Sequence, residues 1–328
     1  MEPMTALVLA FQLLALFSIA GALLIYLLCK VRSAETRLSE TQGGTVLVTS
    51  ADTALGLQLC THLANKGCRV FAGMKEANDS LPAKLLCGWV KMRECSEEPV
   101  PGSIIPMQLD VTREDVLREA TDAMGAHLNA GERGIAAVIN TSGSIYRGRV
   151  ENQDVQQWEH MLRTNILGSL RVAKAFVALL RPTRGRLIYL GTGNGSSSGQ
   201  QGLVAFNATR VAVEQCAEDL RRELQPYGIN VVALDTCDVP AEALYKAPVP
   251  QTINDGADAP TQYTADVLTA SALHVIERAL WDARPQERYQ LSVPNSKYNF
   301  MLPCRSSLRL TRSSDGIVVL LAKQRDGM

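Results

Sequence analysis

The sequence predicts an α/β protein, a doubly wound parallel sheet preceded by one transmembrane helix. Short aliphatic and β-branched runs alternate with stretches of helical period, the order of strand and crossover helix in a parallel sheet. The runs are continuously apolar instead of alternating, so both faces of the sheet must be covered. An unbroken apolar segment near the amino terminus is long enough to cross a bilayer.

That segment runs from Met4 to Cys29, with Gln12 its only strongly polar side chain. A helix rises about 1.5 Å per residue, and the hydrocarbon core is about 30 Å thick. A cleaved signal peptide needs a basic start and an apolar stretch of only about 7 to 15 residues. Here Glu2 opens the chain and no Lys or Arg precedes the run, whereas Lys30, Arg32 and Arg37 follow it. Basic flanks favour the cytoplasmic side. The expected organisation is a membrane anchor at 1–32 with its helix at about 4–29, a linker at 33–44, and the rest of the chain in the cytosol. This describes a single-pass protein of the endoplasmic reticulum, with a mitochondrial membrane as the alternative. In that orientation the sequons at Asn78, Asn140, Asn194 and Asn207 are accidents of composition.

Thirty-three basic and 33 acidic residues cancel, and no sustained block of one sign occurs, which argues against a nucleic-acid partner. The eight cysteines are scattered, without C-x-x-C or a His pair at ligand spacing, so neither a metal site nor a disulfide framework is expected. The four histidines include no H-E-x-x-H, and no hydrolase cluster surrounds them.

Taken in order, Thr45 to Thr49 is the first strand, and Leu55, Leu59 and Leu63 mark a helix over Leu55 to Lys66. Arg69 to Ala72 and Ile104 to Leu109 are the next two strands. Thr112 with Asp115 is placed to cap a helix through Val116, Ala120 and Met124. Ala136 to Ile139 is a fourth strand, Asp154 to Leu180 a long helical stretch, and Arg186 to Leu190 a fifth strand. The helix from Val204 to Leu224 buries Val213, Cys216, Leu220 and Leu224, and Asn230 to Leu234 is the sixth strand. Lys84 to Pro101 shows no clear period and receives no element. Past Ala247 come a Pro-rich stretch, a helix around Ala265 to Arg278, and a tail ending in the apolar run Ile317 to Leu321. The core is thus 45–246, and 247–328 is a carboxy-terminal lid or added edge.

Five segments then fall in one order: T-S-A-D-T-A-L-G at Thr49 to Gly56, L-D-V-T at Leu109 to Thr112, N-T-S-G at Asn140 to Gly143, T-N-I-L-G at Thr164 to Gly168 and F-N-A-T-R at Phe206 to Arg210. By these the chain resembles the short-chain dehydrogenase/reductase family over Thr45 to Ala233. V-F-A-G at Val70, L-R-R-E-L-Q-P-Y-G at Leu220 and P-Q-E-R-Y at Pro285 look most like its hydroxybutyrate, retinol and 17β-hydroxysteroid dehydrogenase branch. The resemblance implies a Rossmann-type fold with NAD or NADP as cofactor.

It also implies which positions carry the site, and several depart from the family pattern. The family's glycine loop lets backbone N–H groups approach the cofactor pyrophosphate. Its three glycine positions read Ser50, Ala54 and Gly56 here, with Asp52 between them, so weak cofactor binding is expected. Asp110 matches the residue that contacts the adenine amino group, and Asn140 opens the segment along the adenine ribose. Turn chemistry at strand ends accounts for both equally well. Lys75 stands beside the position where an acid would bind the ribose hydroxyls of NAD and leans toward NADP, although a solvated surface lysine explains it too. Thr236 and Cys237 replace the P-G that flanks the nicotinamide.

By the same resemblance the catalytic phenol position is Phe206, the Lys position is Arg210, the Ser position is Gly193, and only Asn165 keeps its family identity. Spacing four puts the phenol and Lys positions on one helix face. Phenylalanine has no proton to give, and general acid–base catalysis is typically worth about 10²- to 10⁴-fold in rate. Arg210 stays cationic and can hold ribose or phosphate oxygens. A register slip brings Thr192 or one of Ser196 to Ser198 to the Ser position, and a substitute phenol would have to come from Tyr146 or Tyr189.

The expectation is a membrane-anchored, catalytically impaired member that works by binding a partner protein or second copy, a nucleotide or a lipophilic ligand. The alternative is an NAD(P)-dependent oxidoreductase on a lipophilic alcohol or ketone, as in steroid, sterol or retinoid metabolism. A structural membrane protein without a ligand pocket is the third reading.

Overall fold

The computed structural model describes residues 16–26, 43–94, 101–129, 131–191, 201–236, 239–251, 262–291, 309–312 and 318–321. The chain divides into two units, Met1–Gln42 with Trp281–Arg284, and Gly43–Leu280 with Pro285–Met328. In the first, α1 occupies residues 16–26 and exposes its apolar side chains, Leu16, Phe17, Ile19, Leu23, Leu24 and Ile25 among them. Among the described residues no helix is long and apolar enough to cross a membrane. The remainder of the Met4 to Cys29 run lies outside them.

The second unit alternates strand and helix: β1 (Thr45–Val48), α2 (Ala54–Asn65), β2 (Arg69–Met74), α3 (Leu81–Glu94), β3 (Ser103–Gln108), α4 (Glu114–Ala126), β4 (Ala137–Asn140), α5 (Val155–Met161), a π-helical turn (Leu162–Leu167), α6 (Gly168–Leu180), β5 (Arg186–Gly191), α7 (Val204–Leu224) and β6 (Asn230–Asp235). Then follow α8 (Ala241–Tyr245), β7 (Val249–Gln251), β8 (Gln262–Thr264), α9 (Ala270–Trp281), β9 (Arg288–Gln290), β10 (Arg309–Arg312) and β11 (Val318–Leu321). Seven strands form one sheet in the order β3-β2-β1-β4-β5-β6-β9, and every pairing in it is parallel.

Strand side chains alternate between faces. Leu47, Phe71, Val138, Leu187 and Val231 meet Val172, Phe176 and Leu180 of α6, Val213 and Leu224 of α7 and Met124 of α4 in one cluster. Val46 and Val48, equally buried, point the other way, where α2 packs on β1 and β2. This is why the strands read as continuous apolar runs. Gly67, just past α2, and Gly228, closing the turn after α7, have φ of 89° and 73°, the left-handed conformation that lets a helix end without a Cβ clash.

Three expectations are corrected, and the added edge is narrowed to one strand. Thr112 does not cap α4; its N–H and hydroxyl both donate to Asp110 Oδ1, at 2.8 and 2.7 Å, in a tight local turn, and Arg113 stands at the cap without a side-chain bond to the helix backbone. The segment without a clear period holds most of α3, which starts ahead of it at Ser80, whose Oγ accepts from Ala83 N, and is buried through Pro82, Leu85, Leu86 and Trp89. On α7, Cys216 and Leu220 are only half-buried, because the buried stripe runs through Phe206, Thr209, Arg210, Val213, Ala217 and Leu224. The added sheet edge comes from Arg288–Gln290, whereas the apolar run near 317–321 pairs with β10 in a separate antiparallel hairpin.

The helix past Ala247 is present, displaced to Ala270–Trp281. Buried Gln58 of α2 receives the N–H groups of Val267 and Leu268 on Oε1 and donates Nε2 to Leu268 O. Glu277 of α9 pairs with His62 Nε2 at 2.6 Å and Lys66 Nζ at 3.1 Å. Burial pushes the Glu277 carboxyl up, but hydrogen bonds from His62 and Lys66 outweigh it and hold the pKa at about 2. A depressed carboxyl pKa stabilises the fold above its unfolded value and loses that contribution as pH falls through the folded one. Between pH ~4.5 and ~2 the protein should therefore lose about 2 kcal/mol more stability than Glu277→Gln, as thermal unfolding at stepped pH will show.

Candidate active site

The carboxyl ends of β1, β4, β5 and β6 lie side by side at the centre of the sheet, where open α/β folds bind ligands. The turn after β1 is held by three bonds, two to the end of β4 and one to β2: Thr49 N donates to Ile139 O, Ser50 N to Thr141 Oγ1 and Ala51 N to Gly73 O. Thr53 caps α2, its Oγ1 accepting from Gly56 N at 3.0 Å and donating to Ser50 O at 2.9 Å. Gly56 has a packing job of its own, since a Cβ there would lie 2.0 Å from Ser50 O and 2.7 Å from Ala51 Cα. Ala54, the first residue of the helix, is buried, and its N–H donates to Lys246 O at 2.8 Å.

At the ends of β2 and β3, half-buried Asp52 lies in the field of Lys75 and Asp110. Burial raises the Asp52 pKa; the Lys75 charge and a hydrogen bond from the Lys75 backbone N–H oppose it, and Asp110 adds to the rise. Asp110 accepts the N–H and the hydroxyl of Thr112 on Oδ1. Asn140 is buried and serves as a structural tie. Its Oδ1 accepts from Thr49 Oγ1 at 2.9 Å and from the Ser142 hydroxyl, and its Nδ2 donates to Ser169 Oγ at 2.9 Å, joining β1, β4 and α6.

Asn165 sits in the π-helical turn between α5 and α6. Its Oδ1 accepts from Ser144 N at 2.7 Å, and its Nδ2 donates to Ser144 O at 3.0 Å and Thr209 Oγ1 at 2.9 Å. It therefore clamps the loop after β4 against α7. Also on α7, Phe206 is buried with Met161, Leu203 and Ala241, flanked by Ile145, Trp158 and Tyr245. Arg210, one turn on and 5% exposed, donates Nη2 to Gly191 O at 2.6 Å and Nη1 to the Tyr245 hydroxyl at 2.7 Å. Gly193, Thr192, Ser196 to Ser198 and Cys237 lie outside the described residues.

Neither tyrosine singled out from the sequence stands at the phenol position. Tyr189 is buried and donates its hydroxyl to Ser169 O, and Tyr146 is exposed with its ring edge-on to His160. The phenol that does reach Arg210 is Tyr245, edge-on to Phe206 at 6.0 Å between ring centroids. Burial raises its pKa and the Arg210 charge partly offsets this. Sequence reasoning missed Tyr245 because its contact with Arg210 is non-local. P-A-E-A-L-Y, a Pro followed by helix formers, signals only the short helix that carries it.

A profile of the short chain dehydrogenase family matches residues 44–246. The chain belongs to the short-chain dehydrogenase/reductase family. Mouse (Mus musculus) estradiol 17-beta-dehydrogenase 2 is 28% identical over 223 residues, 67% of this chain and 54% of that protein. The mitochondrial D-beta-hydroxybutyrate dehydrogenase of Rattus norvegicus is 25% identical over 217 residues, covering 65% and 60%. This short-chain dehydrogenase/reductase therefore spans less than two thirds of either relative's length, and both lie in the branch that the motifs imply. A gluconate 5-dehydrogenase from Burkholderia cenocepacia J2315, solved with NADP and tartrate, shares the fold at a TM-score of 0.52 and 20% identity over 67% of this chain and 78% of that one.

Proposed function

We propose that this protein is a membrane-anchored member of the family whose hydride-transfer chemistry is impaired and which works by binding. Its ligand is a nicotinamide nucleotide held weakly, a lipophilic small molecule, or a protein partner, including a second copy. The observation that carries this reading is the state of the two positions that would move the proton. Phe206 is packed in an apolar cluster with no proton to transfer, and both Arg210 nitrogens named above are committed to Gly191 and Tyr245. Ser50, Asp52, Ala54, Gly56, Lys75, Asp110, Asn140 and Arg210 line the path that NAD or NADP takes in the family.

The anchor is supported by the apolar run, of which residues 16–26 form a helix with its apolar side chains outward. On this reading the protein belongs to the endoplasmic reticulum membrane, with a mitochondrial membrane as the alternative, and its domain faces the cytosol.

A second reading, an NAD(P)-dependent oxidoreductase of a lipophilic alcohol or ketone, is favoured by the Tyr245 phenol 2.7 Å from Arg210 and by the relatives' names. Hydride transfer by the full chain in detergent micelles, with steroid, retinoid and hydroxybutyrate substrates, decides between them. The rate is expected to stay at background. Turnover that survives Phe206→Ala and vanishes in Tyr245→Phe would establish the second reading, with Tyr245 as the proton donor.

A further inference from the structure

The chain leaving β6 does not run off into solvent. Val239 N turns back to Thr236 O, Pro240 starts α8, and Val239, Ala241 and Leu244 are buried. Arg147, from the loop after β4, holds this segment from outside through an ion pair with Glu242. The two residues that end it then reach three places at once. The Lys246 carbonyl accepts the Ala54 N–H at 2.8 Å. The Tyr245 hydroxyl accepts from Arg210 Nη1 at 2.7 Å. The Tyr245 ring lies against bare backbone at Gly143, where a Cβ would come within 2.3 Å of a ring carbon.

Each of these is chemically suited to one part of a dinucleotide. The first amides of a helix after a parallel strand suit a pyrophosphate oxygen. A buried guanidinium at the Lys position suits ribose hydroxyls, and a glycine at a strand end admits a flat group against backbone. A peptide carbonyl and a phenol oxygen are the acceptors that best stand in for a phosphate oxygen and a ribose hydroxyl.

We propose that the α8 segment is an intramolecular occupant of the dinucleotide cleft, and that cofactor enters only by displacing Tyr245 and Lys246. The proposal rests on the reading that the cleft takes a nicotinamide nucleotide, and it adds what regulates entry. When a competent state is populated only in part, apparent affinity falls by that fraction. The weak binding expected of this chain then has a reversible cause besides its lost glycines.

The test is titration of the full chain in detergent micelles with NADH, alongside amide hydrogen exchange, for the unaltered protein, Tyr245→Ala and Glu242→Gln. Tyr245→Ala should bind NADH about fivefold tighter or better, and Glu242→Gln, which touches only the exposed latch, about two- to threefold tighter. In the unaltered protein NADH should speed exchange over residues 241–247 while residues 54–56 stay protected. NADH affinity unchanged in both variants overturns the proposal, as does absence of binding by either at millimolar NADH. So does slower exchange over 241–247 on binding, which would make the segment a cover closing over the cofactor. Glu242→Gln keeps the test decisive if Tyr245→Ala fails to fold. Tight binding by the unaltered chain with faster exchange at 241–247 would sink the weak-binding reading and still support displacement.

Discussion

Phe206→Tyr, Arg210→Lys and Gly193→Ser together should raise hydride transfer by about 10²-fold or more over the unaltered protein, the gain a general acid typically brings. The changes at 206 and 210 must be combined because Phe206→Tyr alone meets an obstacle visible in the packing. Phe206→Tyr by itself puts a hydroxyl into a cluster of Met161, Leu203 and Trp158, beside an Arg210 already held by Gly191 and Tyr245. Arg210→Lys removes the fork that reaches both partners, which frees the Tyr245 phenol and gives the hydroxyl introduced at position 206 a cation whose distance can adjust. Steady-state oxidation of NADH with a steroid ketone measures the effect. A triple variant that binds NADH and still transfers no hydride would mean that more than these three positions has been lost.

Gly56→Ala should cost at least about 3 kcal/mol and lower the unfolding midpoint by roughly 8 °C, read by thermal denaturation. The added methyl has no rotamer with which to escape, and the atoms it meets at 2.0 and 2.7 Å are backbone of the turn that Thr53 caps. To make room, Ser50 and Ala51 must leave their bonds to Thr141 and Gly73. Gly125→Ala is the control: a Cβ there meets nothing within 4 Å on α4, so the change should stabilise by about 0.5 to 1 kcal/mol. Equal effects at the two glycines would show that helix propensity, and not close approach, governs position 56.

The parts of the fold legible in the sequence are those whose signal is local and repeated. Helix α7 spans Val204–Leu224 as its period and flanking residues indicate, and the first six strands fall within two residues of the apolar runs that mark them. Helix α3 is hidden when the segment is cut at Lys84, which drops Ser80 and Pro82, and with them the cap and the first of the buried positions 82, 85, 86 and 89. Strand β9 has three residues, of which only Tyr289 is buried, too few to show a period.

In the site, chemical identity is readable where the residue type alone settles it. Phenylalanine at 206 has no ionisable proton wherever it sits. The roles of Asn140 and Asp110 are not readable, because a tie to Thr49 and Ser169 and a turn around Thr112 depend on which of several partners the folded chain offers. Tyr245 is invisible for the same reason.

The strand order has a temporal meaning as well. β1 pairs with β2, which follows it directly, but its other neighbour is β4, so Val46 to Val48 wait for Ala137 to Ile139 before their second edge is filled. Until then β3, β2 and β1 can assemble only as a three-stranded half, with an open row of N–H and C=O groups along one side. Synthesis at about 5 to 20 residues per second leaves that edge bare for seconds on the ribosome. A nascent chain stalled before Ala137 would therefore expose a ready template for strand addition, making the stretch between β1 and β4 the interval in which a chaperone has the most to protect.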